Sequence, residues 1–294
     1  MVDVLSGFGV VVTVIAVGYL LGRTEALGPH ARRVLANLVY LVATPALLLD
    51  ILLRTDRGVI FSENFLVIAG SALIAGLLGF LLFRIRGRSV PDSVIGMLSA
   101  SYVNAGNLGI PLAVYILDDA AVVVPVILFQ VAMYAPVALS TLDLLHDSGS
   151  LRNVLVALRN PMLLAALVGL FLPVPGMFHE PVALLAGAAV PVALLVFGMS
   201  LVGTRVALGG DVLLAVAVKN IVHPVVAGLL AYGVFGLSGP ALLSLVILAA
   251  LPTAQNVLTY ALRFRTNEVL ARDVGVVSTL VSVPVLIVVA LVLG

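Results

Sequence analysis

The sequence is poor in charge and contains no cysteine. Only 10% of its 294 residues are charged, whereas an average soluble domain is roughly 25% charged. The 62% hydrophobic content is typical of a chain that a lipid bilayer solvates. Basic and acidic residues nearly balance, giving a net charge of +1, so we expect no nucleic-acid partner. Without cysteine, a disulfide, a thiolate metal site and a catalytic thiol are all excluded.

Long apolar runs recur along the whole chain. A membrane-spanning helix needs about 20 mainly apolar residues to cross a hydrocarbon core about 30 Å thick. An acid precedes the first run where a signal peptide would carry basic residues, so we expect that run to be retained. Ten spans are predicted in all: 5–22, 34–53, 64–83, 92–117, 120–145, 154–172, 181–203, 212–236, 240–262 and 272–293.

The arginine positions predict how these spans are oriented. Cytoplasmic loops retain basic residues. The odd-numbered connections between spans hold 12 arginines, whereas the even-numbered ones hold only Arg54 and Arg57. We therefore expect a multi-pass protein of the cell (inner) membrane with both termini outside the cytoplasm. Five spans in each half, 1–145 and 154–294, would insert the second half upside down, which gives the two inverted repeats common among secondary transporters.

Spans four and nine carry helix-breaking residues near the middle of the membrane. The run SYVNAGNLGIP occupies residues 101–111, and LPTAQNVLTY occupies 251–260. Proline lacks an amide hydrogen and glycine leaves helical geometry readily, and backbone groups freed in this way must line a polar cavity or pack within protein. Two breaks at matching depth predict a binding site. Alternatively, these residues serve only kinks or close helix packing.

The groups around the breaks suit a small polar or anionic ligand. A half-helix that begins at a break points its N–H groups and partial positive charge inward. The amides of Asn104, Asn107, Gln255 and Asn256 both donate and accept hydrogen bonds, which suits a carboxylate, a water or a small cation. Gln130 and Tyr134 lie at positions i and i+4 of span five, so they can face the same cavity.

Lys219 is the only lysine of the chain and lies inside span eight, within AVAVKNIVHPVV. Inserting its charge costs at least about 2.5 kcal/mol, and His223 shares its helix face at i+4. Three roles stay open: a countercharge for an anionic substrate, a titrating group that couples proton movement, and a side chain that snorkels to the cytoplasmic interface. Carboxylates are scarce in mid-membrane, so the coupling ion is unknown but a proton is favoured over sodium. No metal or other cofactor is expected.

Five motifs resemble the auxin efflux carrier family of permeases, which includes the plant PIN-type transporters: NAGNLGIPL, AVPVALLVFGMSL, VKNIVHPV, LPTAQNVLTYAL and VVSTLVSVPVL. The resemblance covers essentially the full length, and the bile acid transporters share the architecture more distantly. It implies an all-α membrane protein of ten helices in two inverted five-helix repeats, with broken helices four and nine that cross. It also implies a scaffold domain (1–53 and 154–203) that forms a homodimer, beside a transport domain (64–145 and 212–294).

The breaks and the resemblance together predict a transporter of small organic anions. We expect carboxylates, either auxin-like acids or dicarboxylates, to move by elevator-type alternating access, with the bilayer and a second copy of the chain as the other partners. A passive anion channel and a ligand-binding membrane sensor are the alternatives, whereas an enzyme is not expected because catalytic motifs are absent. The predicted substrate-binding residues are Asn104, Gly106, Asn107, Pro111, Gln130, Tyr134, Pro252, Gln255 and Asn256, with Lys219 and His223 for charge and coupling.

Overall fold

A computed structural model describes residues 2–54, 62–145, 160–203 and 207–294. Within these ranges the chain is helical and contains no β-strand. The start of predicted span six lies outside the described residues. So do four of the arginines that predict the orientation: Arg57, Arg152, Arg159 and Arg205.

Twelve helical segments, numbered here α1 to α12, make up most of the described chain. They are α1 (Val2–Thr24), α2 (Ala31–Arg54), α3 (Glu63–Ile85), α4 (Val90–Ser101), α5 (Ile110–Tyr115), α6 (from Ala120 to Leu145), α7 (Pro161–Phe171), α8 (Gly176–Ser200), α9 (Gly210–Val234), α10 (Gly239–Ala250), α11 (Asn256–Phe264) and α12 (Glu268–Leu293).

Six of these described helices are long and apolar enough to cross a membrane: α2, α3, α6, α8, α9 and α12. Three shorter apolar stretches are Gly9–Thr24, Pro161–Phe171 and Gly239–Ala250. The chain is therefore an all-helical, multi-pass membrane protein. The arrangement of ten spans in two inverted repeats, with spans four and nine broken, stays a prediction.

Two helix starts follow local capping rules. Ser89 precedes α4, and its hydroxyl accepts the N–H of Asp92 at 3.2 Å. Asn160 precedes α7, and its side-chain oxygen accepts the N–H of Met162 at 2.9 Å. Both helices carry proline in their first turn, where the missing N–H has no helical partner to lose.

Four π-helical turns widen the helices just ahead of a proline. In each case the turn ends two residues before the proline. A proline ring clashes with the carbonyl four residues earlier, and a wider turn moves that carbonyl away. The pairs are Val39–Ala43 with Pro45, Ala105–Gly109 with Pro111, Gln130–Tyr134 with Pro136, and Val218–Val222 with Pro224.

Backbone contacts divide the chain into two compact units. The first contains the described parts of Met1–Phe61, Gly106–Ala132 and Leu155–Thr204. Within it, α1 and α8 pack so closely that a methyl group at Gly18 would collide with the backbone of Leu195, and one at Gly198 with the backbone of Ile15. Small residues allow this backbone approach in a membrane, where dispersion contacts hold helices together.

The second unit contains the described parts of Ser62–Ala105, Met133–Val154 and Arg205–Gly294. The ring of Phe83 is fully buried against Gly96 of α4 and packs with residues of α9 and α12. At one end of this unit Asp211 pairs with Arg86 at 2.7 Å and with Arg88 at 2.6 Å. Which unit would act as scaffold and which as transport domain stays a prediction.

Candidate functional site

Two helices of the second unit end in adjacent extended segments. Helix α4 ends at Ser101, and α10 ends at Ala250. Pro252 explains the second end, because it has no N–H for the carbonyl four residues earlier and it holds Leu251 in extended geometry, with ψ of 150°. Each ending leaves backbone carbonyls and amides that a continuous helix would have paired.

The two extended segments pair with each other. The N–H of Asn104 donates to the carbonyl of Pro252 at 2.8 Å, and the N–H of Ala254 donates to the carbonyl of Tyr102 at 2.9 Å. The result is an isolated antiparallel β-bridge, which we call the crossover bridge. It satisfies four backbone groups that could not be left facing lipid.

Thr253 supplies a donor that α4 has lost. In a continuous helix the carbonyl of Ser99 would accept the N–H of Val103; here it accepts the hydroxyl of Thr253 at 2.6 Å. The N–H of Thr253 in turn donates to the hydroxyl oxygen of Ser278 in α12 at 3.0 Å. Asn220 of α9 donates to the carbonyl of Ser278 at 3.2 Å. The crossover bridge is therefore anchored to two neighbouring helices.

Lys219 supplies the donor that α10 has lost. The carbonyl of Ala249 would accept the N–H of Thr253 in a continuous helix; instead the side-chain nitrogen of Lys219 donates to it at 2.6 Å. The Lys219 side chain is fully buried, and its Nζ lies 3.2 Å from Nδ1 of His223. The i+4 spacing thus brings these two residues together. Lys219 does not snorkel, because its side-chain nitrogen is hydrogen-bonded at the C-terminal end of α10.

Typical interaction energies can be compared with the cost of burying a charged Lys219. A hydrogen bond to a charged group contributes about 1.5–3 kcal/mol, and a cation at a helix C-terminus contributes up to about 2 kcal/mol when partly buried. Both values describe the contact with the Ala249 carbonyl, so they are not added; the larger, about 3 kcal/mol, compares with an insertion cost of about 2.5–3.5 kcal/mol. A charge on Lys219 would thus be offset in large part by the C-terminal end of α10.

Tyr134 braces the end of α4. The hydroxyl of Ser101 donates to the carbonyl of Met97 at 2.8 Å, so the Tyr134 hydroxyl is the donor in its 2.5 Å contact with Ser101. Its ring stacks on Tyr102, with centroids 5.9 Å apart, and Tyr260 meets Tyr102 edge-on at 6.1 Å. Sequence reasoning placed Tyr134 at the site and missed the other two tyrosines, which lie beside the breaks in the sequence.

The predicted substrate-binding residues are distributed over both units. Asn104, Tyr134, Pro252, Gln255 and Asn256 belong to the second unit, and Gly106, Asn107, Pro111 and Gln130 belong to the first. Of these, Asn104 and Gln130 are 4% and 5% exposed, whereas Gln255 and Asn256 are exposed at the start of α11. Their role in binding a substrate stays a prediction.

A cleft of about 700 Å³ lies between α9, α10 and α12 of the second unit. Its lining is apolar apart from Asn220 and Tyr232, and none of the predicted substrate-binding residues contributes to it. A charged substrate would find no counter-charge there. Among the described residues, no group of three or more histidine and acidic side chains is placed to hold a metal ion.

The long apolar helices of the described residues define a multi-pass membrane protein. A family model described as membrane transport protein matches the chain twice, over residues 10–150 and 150–290. The chain belongs to this family, the auxin efflux carriers, which confirms the resemblance seen in its motifs. It is a family of transporters and not of enzymes. No curated protein matches the chain.

Proposed function

We propose that this protein is a secondary transporter of small organic anions, with carboxylates as the substrate class, and that it works by elevator-type alternating access. The observation that carries the proposal is the crossover bridge, where Asn104 and Pro252 join two interrupted helices. Irregular backbone of this kind at membrane depth occurs where it is packed in protein or lines a cavity, and in transporters it marks the substrate site.

The start of α11 beside the crossover bridge favours an anion. The C-terminal ends of α4 and α10 carry partial negative charge, and the Lys219 nitrogen donates to the second of them, so these ends and the lysine offset each other. Helix α11 begins at Asn256, and the start of a helix attracts negative groups. None of the ion pairs in the described part of the chain involves Lys219.

Further features of the proposal rest on the family and on the sequence. The double family match over residues 10–150 and 150–290 supports two repeats, and the arginine distribution supports both termini outside the cytoplasm in a cell membrane. The resemblance supports a homodimer through the scaffold helices. A proton is favoured over sodium as the coupling ion, because the crossover bridge offers no carboxylate among its described hydrogen-bond partners.

Flux measurements in proteoliposomes test the proposal. We expect saturable uptake of at least one carboxylate, such as malate or indole-3-acetate, over its uncharged amide analogue. Asn104→Ala and Asn256→Ala should reduce this uptake tenfold or more, since about 1.4 kcal/mol of lost binding is already tenfold. Ser244→Ala is the matched control, because that hydroxyl bonds only the carbonyl of Pro240 in its own helix.

Three outcomes would contradict the proposal or its site. Uptake that does not saturate would indicate a passive anion channel, and binding without uptake would indicate a sensor. Uptake of every tested carboxylate at the normal rate by both asparagine variants would remove the site from the crossover bridge.

A further inference from the structure

We infer that the C-terminal end of α10 is a binding site for a primary ammonium group. The side chain of Lys219, from the same chain, occupies this site. The site consists of the Ala249 carbonyl and the Nδ1 atom of His223, at 2.6 and 3.2 Å from the Lys219 Nζ. This site lies at the end of α10 that leads into the crossover bridge. The inference does not depend on which substrate the protein transports.

A donor and an acceptor can be assigned to the hydrogen bonds around Lys219. With Lys219 as an ammonium, which only donates, Nδ1 of His223 accepts and the ring carries its proton on Nε2. That nitrogen lies 3.5 Å from the hydroxyl of Ser71, the outer limit of a hydrogen bond, and Ser71 donates to the carbonyl of Ile68 at 3.2 Å. Two of the three N–H groups of a charged Lys219 thus have an acceptor, and His223 in this tautomer is neutral.

Within the described part of the chain, no carboxylate shares the site. Helices α3, α4, α10 and α12 pack against the turn that carries Lys219. Their ionisable side chains lie at or near the helix ends: Glu63, Arg84, Asp92, Glu268, Arg272 and Asp273. The counter-charge is thus a helix end, which has no side chain of its own to titrate.

Shortening the lysine should leave a vacancy with a defined chemistry. Lys219→Ala removes the ammonium and its stem, and it leaves the Ala249 carbonyl and His223 without their donor. Methylammonium carries the same charge and the same N–H donors, so it fits this vacancy. Tetramethylammonium carries the charge without any N–H donor, which makes it the matched control.

Thermal unfolding of the purified protein tests the site. A ligand that binds only the folded state raises the unfolding temperature in a saturable way. We expect Lys219→Ala to unfold at a lower temperature than the wild type and to regain stability with methylammonium chloride, but not with tetramethylammonium or sodium chloride at equal ionic strength. The wild type and Lys219→Met should not respond. A Lys219→Ala variant as stable as the wild type, or one that responds equally to both ammonium salts, would overturn the inference.

A measurement on the wild type keeps the inference testable if Lys219→Ala does not fold. Because the chain has a single lysine, labelling with ¹⁵N-lysine gives one side-chain nitrogen signal. We expect an ammonium signal protected from exchange with water, which His223→Gln shifts. A neutral amine signal, or one that exchanges as fast as an exposed lysine, would overturn the inference.

Discussion

Replacing Thr253 with valine removes one hydroxyl from the crossover bridge and changes little else. The valine keeps the shape of the side chain and the N–H that donates to Ser278. The carbonyl of Ser99, which accepts the hydroxyl at 2.6 Å, loses its donor at a buried position. Leaving a buried acceptor unsatisfied costs about 1–3 kcal/mol. For domains of about 150–250 residues, 1 kcal/mol shifts the unfolding temperature by about 2–4 °C.

Thermal unfolding in detergent measures this effect against a closely matched control. Thr279 of α12 is also buried, but its hydroxyl donates to the carbonyl of Gly275 in its own helix at 2.8 Å. That carbonyl belongs to a continuous helix, so Thr279→Val should cost less than about 1 kcal/mol. We expect Thr253→Val to unfold several degrees below Thr279→Val. Equal unfolding temperatures would refute the view that Thr253 replaces a lost helical donor.

Three further substitutions probe other contacts. Tyr134→Phe keeps the ring stacked on Tyr102 but loses the hydroxyl donor, so we expect a loss of about 0.5–1.5 kcal/mol in thermal unfolding; an unchanged unfolding temperature would speak against the bracing role. Gly198→Ala should destabilise the protein by about 1–3 kcal/mol in thermal unfolding, because the added methyl group collides with α1. Gly187→Ala, which has open space around it, should not. Similar losses of stability for the two variants would contradict close packing of α1 against α8. Asp211→Asn removes two half-exposed ion pairs and should cost less than about 1 kcal/mol, with the difference vanishing at high salt.

Part of the site could be predicted from the sequence because proline and charge are conspicuous in apolar helices. The ending of α10 just before Pro252 follows from the missing N–H. The contact between Lys219 and His223 follows from their i+4 spacing. The carbonyl of Ala249 could not be predicted as the lysine's acceptor, because it becomes available only where the distant α10 ends.

Other parts of the structure have sequence signals that are too weak or too irregular to predict them. Thr253 and Ser278 resemble the many hydroxyl residues of membrane helices that bond their own backbone, so their role at the crossover bridge depends on tertiary contacts. Four of the five described π turns did have a signal, namely a proline two residues beyond the turn; the fifth, Leu229–Val234, has none. A regular periodicity of 3.6 residues per turn does not include such turns, so it does not predict them.

The π turns before Pro45, Pro111, Pro136 and Pro224 have a consequence for how the length of these helices can vary. A π turn holds one residue more than an α turn, so deleting one residue there would restore a regular ladder up to the proline. Both kinds of turn carry the helix once round its axis, so the helix beyond would keep nearly the same rotation and would present nearly the same side chains to its neighbours. A single-residue deletion at one of these four places would thus preserve the surface that the helix presents, although the carbonyl four residues before the proline would return to the position where the ring clashes with it.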